Sequence, residues 1–258
     1  MAKQMSETLL VERDGPVTTI IINRPEVRNA LDTSTARRLA DTFREFDADD
    51  DASVAVLTGA GGAFCAGADL KELATGVDYE AWAGAENGPT RPVLSKPVLA
   101  AVAGHACAGG LGLALWCDLR IVEENAVFGV FSRRWGVPMS DGTTVRLPRL
   151  IGMARALDML ITGRAVGSEE ALQWGLASRL APKGQARQVA EELAARIAEF
   201  PQVALRSDRQ SAYMQNGRPL EDAIRIEKDL SLAAKRLEAG AGAARFAAGE
   251  GRHGSFPK

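Results

Sequence analysis

Residues 98–123 read VLAAVAGHACAGGLGLALWCDLRIVE. VLAAVA (98–103) is a short apolar run of the kind that fills a buried strand, and LRIVE (119–123) is another. Between them, GHACAGGLGLAL is a turn of small residues that opens directly into a helix-like stretch. A strand, a glycine-rich turn and a helix leading into a further strand describe layered α/β architecture.

The pattern continues outward in both directions. SVAVLT (53–58) is a β-branched run that ends in a second glycine-rich turn, GAGGAFCAGADLKEL. Before it, LLVERDGPVTTIIIN reads as two strands joined at Asp14-Gly15, because Asp-Gly readily adopts the positive torsions of a tight hairpin. After the loop RPEVRNAL, Asp32 is placed to cap a helix on which Leu39, Phe43 and Phe46 share one face. Beyond Gly142 strand signals nearly vanish. Ser168 has the look of an N-cap with two glutamates behind it, Gly175 that of a C-cap, and helical stretches follow over 185–200, 202–215 and 220–239. A boundary is expected near Phe200, where Pro201 interrupts the pattern, and a mobile Gly-rich tail from Ala239. No internal repeat is visible.

Composition narrows the function. The 258 residues are 46% hydrophobic and 25% charged, with a net charge of −2, so no global electrostatic footprint points to nucleic acid or a membrane surface. The longest apolar stretches fall well short of the ~20 residues that span a bilayer. The first residues lack the apolar core of a signal peptide, so the cytoplasm is the expected compartment. Cys65, Cys107 and Cys117 have no metal-ligand spacing, and His105 and His253 are the only histidines, which argues against a zinc site or a Ser/His/Asp triad.

The two glycine-rich turns are the candidate site. Small residues there let a backbone N–H approach a ligand, and the second turn feeds a helix whose N-terminal dipole favours developing negative charge. Two such N–H groups converging from separate strands would form an oxyanion hole for an enolate or tetrahedral intermediate. The same turns also serve close packing alone, and spacing leaves the convergence open. AGGLG lacks the G-x-G-x-x-G order of a dinucleotide site and the G-x-x-x-x-G-K-[ST] of a phosphate loop, so both are rejected.

The chain resembles the enoyl-CoA hydratase/isomerase (crotonase) family along nearly its whole length. The resemblance runs from NRPEVRNALD through CAGADLKEL, KPVLAAVAGHACAGGLGLALWCDLRI and VPMSDGTTVRLPRLIG to LTGRAVGSEEALQWGLASRL. It implies an α/β crotonase-like fold, with a β-β-α spiral core over residues 1–200. A helical region over 201–258 would make trimer contacts, trimers often pairing into hexamers. It implies that the N–H groups of Ala68 and Gly109 hold the carbonyl oxygen of an acyl-CoA thioester. CoA would lie against Val27, Arg28 and Ala30 and against Ala66, Asp69 and Leu70, with Arg28 as a phosphate contact or simply a solvated surface residue. No metal or organic prosthetic group is implied, since CoA enters with the substrate.

The chain also departs from the family. Hydratases of this kind carry two glutamates that handle water and proton, and the matching positions here are Gly112 and Ser132. Neither is an efficient acid or base near neutral pH, and losing one such group costs about 10²–10⁴ in rate. Asp141, in GVPMSDGTT, lies within about one position of the aspartate used by isomerase and dehalogenase relatives; it can equally cap the following helix. Ser140 is the other occupant of that position, and Ser132 either binds a water near the thioester or packs as a strand residue. His105 is read as satisfied by backbone, Cys65 and Cys107 as small buried hydrophobes, and Trp116 as core. Trp135 could line an acyl pocket. Asp78, Glu80 and Glu86 lie in a segment expected to be flexible over the site. The expected function is therefore atypical hydration or isomerisation of an acyl-CoA. The rivals are a thioester hydrolase of the same fold and a non-catalytic acyl-CoA-binding protein.

Overall fold

The fold was analysed in a computed structural model that describes residues 7–76 and 88–251. The candidate acids Asp78, Glu80 and Glu86 therefore lie outside the described residues. The chain divides into two compact units, residues 1–197 and 198–258.

The first unit begins with the hairpin β1 (Leu9–Asp14) and β2 (Val17–Ile22), paired antiparallel with Asp14 opposite Val17 and Gly15 at φ +53°. All six residues of β2 are buried, while β1 is exposed beyond Leu10, as suits an edge. Helix α1 (Thr33–Ala48) starts where Asp32 accepts the Thr35 N–H at 2.8 Å. It buries Leu39, Phe43 and Phe46, each worth roughly 1.5–3 kcal/mol of transfer free energy.

β3 (Val54–Gly59), the short α2 (Leu70–Leu73), β4 (Val98–Val102), β5 (His105–Cys107), α3 (Gly109–Trp116), β6 (Leu119–Glu123) and β7 (Val127–Gly129) follow. Then come α4 (Thr143–Ile151), α5 (Met153–Thr162), β8 (Ala165–Gly167), α6 (Ser168–Trp174), β9 (Arg179–Ala181) and α7 (Ala186–Ala198). Six strands form one sheet in the order β1-β2-β3-β4-β6-β9, parallel from β2 onward, and β5-β7-β8 form a second. β4 passes into β5 and β6 into β7 across short turns, so the chain moves from the first sheet to the second and back. Isolated parallel bridges, Leu31 to Ala68 and Cys65 to Ala106, extend the same stacking to the loops after β2 and β3. This is the layered α/β spiral expected for a crotonase-like core.

Helix α3 is buried along its whole length. An apolar helix with no polar face must be enclosed on all sides, and Trp116 at its end is core as expected, its ring tilted against that of Phe43 with centroids 4.5 Å apart and its indole N–H donating to the Pro92 carbonyl.

Several local expectations need correction. β8 and β9 are three-residue strands beyond Gly142, where none was evident. Gly167 rather than Ser168 is the residue preceding α6, and the Ser168 hydroxyl donates to the Glu124 carbonyl. Gly175 does end that helix, at φ +77°.

The second unit packs α8 (Gln202–Met214) against α9 (Leu220–Ala234). The Glu238 carboxylate accepts the Val203 and Ala204 N–H groups and so caps α8. The tail expected to be mobile from Ala239 is helical instead: a π-turn (Lys235–Ala239) runs into α10 (Gly240–Ala247). The alanines of GAGAARFA supply helix propensity that offsets its two glycines. Residues 252–258 lie outside the described residues.

Candidate active site

The site is assembled from the loops that follow β2, β3 and β5. After β2, Arg28 and Asn29 both adopt left-handed torsions, φ +52° and +57°. Asn29 is fully buried and fixes this turn, accepting the Arg24 N–H and donating to the Ala60 and Ala63 carbonyls. The Arg24 guanidinium then reaches Asp32 at 2.9 Å and Asp69 at 3.1 Å and donates to the Ala30 carbonyl, tying the first loop to the second.

In the loop after β3, Leu31 N–H donates to Gly67 and Asp69 N–H to Leu31. These two bonds belong to the neighbours of Ala68, so the Ala68 N–H faces away from that ladder and has no acceptor among the described residues. Cys65 N–H donates to His105 and Cys107 N–H to Cys65, which fastens the second loop to β5. Ala108 N–H donates to Gly129, whereas Gly109, the first residue of α3, has no preceding helical carbonyl to serve. Gly67 sits directly against that amide. A Cβ on it would lie 2.9 Å from Gly109 N, and its φ of +100° is one that side-chain-bearing residues avoid. Ala108 accepts a comparable strain at φ +48°, ψ −121°.

Ala68 and Gly109 both line one cavity of about 800 Å³. Arg28, Ala66 and Leu70 also line it, as do His105 and Cys107. Most of the stretch from Phe131 to Asp141 completes the wall. It includes Ser132 and Ser140, with Trp135 at the mouth, 71% exposed. Val27, Ala30 and Asp69 are not on this wall: Ala30 gives its carbonyl to Arg24, and the Asp69 carboxylate is engaged by Arg24 and the Lys71 N–H, capping α2. Ser132 is buried, its hydroxyl 3.4 Å from the Met139 sulfur.

Asp141 is 2% exposed, and one of its carboxyl oxygens, Oδ1, accepts the Thr143 N–H at 2.8 Å. Gly142, not Asp141, is the N-cap of α4, and the Asp141 carboxylate instead holds the N–H of the first helical residue while lining the cavity. Burial raises its proton affinity above the ordinary carboxylate range, against the opposing pull of the Thr143 hydrogen bond and the Arg146 charge. The other oxygen faces α3 at Gly112, where a Cβ would fall 2.4 Å from Asp141 Cγ and 2.6 Å from Oδ2. Gly112 and Asp141, 29 positions apart, share one volume.

The thiols of Cys65 and Cys107 are each pushed up to about 12, mainly by burial, so both stay protonated at neutral pH and behave as small hydrophobes. His105 is half-buried and is among the residues lining the cavity. Arg134 was missed; it lines the cavity and lies 4.8 Å over the Phe131 ring. The only available signal was the exposed pair in SRRW. Among the described residues no group of three His, Cys, Asp or Glu side chains could hold a metal, and no helix is long and apolar enough to cross a membrane.

The chain is similar to known proteins in sequence and in fold. The family model for enoyl-CoA hydratase/isomerase matches residues 12–248. Enoyl-CoA hydratase EchA19 of Mycobacterium tuberculosis is 37% identical over 234 residues, 86% of each chain. A carnitinyl-CoA dehydratase of Proteus mirabilis is 38% identical over 205 residues, 78% of each. The crystal structure of enoyl-CoA hydratase EchA1 from Mycobacterium marinum superposes with a TM-score of 0.88 at 34% identity, covering 93% of this chain and 95% of that one.

Proposed function

Because the chain belongs to the enoyl-CoA hydratase/isomerase family, and so is an enzyme acting on acyl-CoA thioesters, we propose that it adds water to, or removes it from, an acyl-CoA double bond using a single carboxyl group, that of Asp141. One observation carries this reading: the Ala68 and Gly109 amides, neither needed by the fold's hydrogen-bond ladders, line the same cavity as Asp141.

In this reading the thioester oxygen accepts hydrogen bonds from both amides. A water held at Ser132 gives its proton to the Asp141 carboxylate while its oxygen bonds to the β-carbon. The double-bond electron pair moves onto the α-carbon and thioester oxygen as an enolate. Asp141 then returns the proton to the α-carbon, which completes the addition of one water. Each amide donor is worth about 3 kcal/mol to such a transition state. Arg28, Ala66 and Leu70 would receive the CoA moiety, with the Arg28 guanidinium available to a phosphate. The helical unit after residue 197 would serve self-association, since Leu220, Ile224, Leu237 and Phe246 are all more than half exposed there.

The test is a panel of crotonyl-CoA, 3-hexenoyl-CoA and saturated acyl-CoA, followed for hydration, double-bond migration and release of free thiol. Asp141→Asn is expected to lower kcat for crotonyl-CoA by about 10²–10⁴, and Gly109→Pro, which deletes one donor, by about 10²–10³. Full activity in either variant defeats the corresponding assignment. Thiol release as the dominant reaction would make the protein a thioester hydrolase, and binding without turnover of any ester would make it a binding protein.

A further inference from the structure

Gly112 looks, in the sequence, like a lost catalytic position. In the fold it is the place where another residue's carboxyl is received. Helix α3 is buried on all sides, and the only gap a side chain at 112 could enter is filled by Asp141. With Oδ1 engaged by the Thr143 N–H, Oδ2 is the oxygen against the Gly112 notch. The backbone of Asp141 is held from a second direction. Arg146 Nη1 donates to the Asp141 carbonyl at 3.1 Å, and Nη2 donates to the carbonyl of the buried Thr90 at 2.7 Å. One guanidinium thus joins the loop carrying the carboxyl to the segment that leads into β4.

We propose that Gly112 and Arg146 are positioning residues for Asp141: the bare α-carbon of one makes the notch, the guanidinium of the other clamps the loop, and together they leave Oδ2 as the oxygen that exchanges a proton with substrate. The inference rests on Asp141 carrying the proton. It makes positions 112 and 141 mutually exclusive, since a side chain from α3 and a carboxyl from the turn before α4 cannot both enter the gap. The titratable and charged groups around Asp141 among the described residues are Arg146, on α4, the Cys65 thiol, in the loop after β3, and, on the wall of the same cavity, Arg28, His105, Cys107 and Arg134. Both thiols are neutral at working pH, and Arg146 is the cation whose charge lowers the proton affinity of the Asp141 carboxyl.

The experiment uses the full chain with crotonyl-CoA. Gly112→Ala is expected to lower kcat at least tenfold with KM changed less than threefold, because it displaces the carboxyl and not the CoA. Arg146→Gln is expected to move the acid limb of the kcat/KM profile to higher pH, since a base that loses a neighbouring cation holds its proton more tightly, while Arg146→Lys keeps that limb near the wild type. Thermal denaturation guards against simple misfolding. In the Asp141→Gly background the notch is empty, so Ala at 112 should cost little melting temperature, and in the wild type it should cost several degrees. An equal cost in both backgrounds, or wild-type kcat and acid limb in Gly112→Ala and Arg146→Gln, overturns the positioning roles. Undiminished turnover in Asp141→Asn would instead remove the reading on which they depend.

Discussion

Asp141 combines two demands that usually conflict. Its carboxylate accepts the N–H of Thr143 at the start of α4, which favours the charged form, yet burial against α3 disfavours it. Since its proton affinity in the fold is raised, the folded state binds a proton more tightly than the unfolded chain does. Its contribution to stability is thus fully present below the unfolded pKa and is lost as pH rises through the folded one. Asp141→Asn keeps an acceptor for the Thr143 N–H and removes the titration. The variant is expected to melt progressively above the wild type as pH increases from 4 to 8, and scanning calorimetry at several pH values reads this directly; a gap that narrows with pH would contradict it. Asp141 as a candidate was legible from its place in GVPMSDGTT. Its meeting with Gly112 was not, because the contact is made by packing of α3 against α4 and leaves no trace in local spacing. Asp69 was placed near the ligand by its motif, and in the fold Arg24 and the α2 N-terminus engage its side chain, a partnership local spacing does not reveal.

At the level of elements, the entry to α3 is strained and the entry to α1 is satisfied. Ala108 holds torsions that glycine tolerates far better, at a cost of about 1–3 kcal/mol for a side-chain-bearing residue. Ala108→Gly should therefore raise the melting temperature by a few degrees if the relief exceeds the added chain entropy of glycine, and a lower melting temperature would show that its Cβ packing matters more. Asp32→Ala should do the reverse, removing the α1 cap and one partner of Arg24 for a loss of about 1–2 kcal/mol in denaturant titration. The strands around the glycine-rich turns were legible because each is an apolar run closed by small residues. β8 and β9 were not, since three residues carry no periodicity and their pairing partners lie far away in the chain. α10 was hidden by its glycines, which read as a breaker until the surrounding alanines are counted.

For the molecule as a whole, both units leave bulky apolar side chains uncovered, with Trp135 and Ile161 of the first 71% and 70% exposed. Leu220, Ile224, Leu237 and Phe246 of the helical unit are 75%, 56%, 73% and 65% exposed, more bulky apolar surface than one short segment normally shows to water. Light scattering of the intact protein is expected to report an oligomer, and replacing Leu220, Ile224 and Leu237 together by serine should shift it to the monomer; a wild-type monomer at micromolar concentration would discard the association reading.

The loops after β2, β3 and β5 are stitched edge to edge by peptide groups, Leu31 to Gly67, Asp69 to Leu31, Cys65 to His105 and Cys107 to Cys65, with the Arg24 and Asn29 side chains adding ties between the first two. Every residue type except proline supplies a main-chain N–H. A point mutation at 68 or 109 can change what protrudes there without erasing the N–H itself. The proposed oxyanion site is consequently buffered against most single-nucleotide drift, and selection for new substrates is free to work on the stretch between Phe131 and Asp141 that lines the cavity.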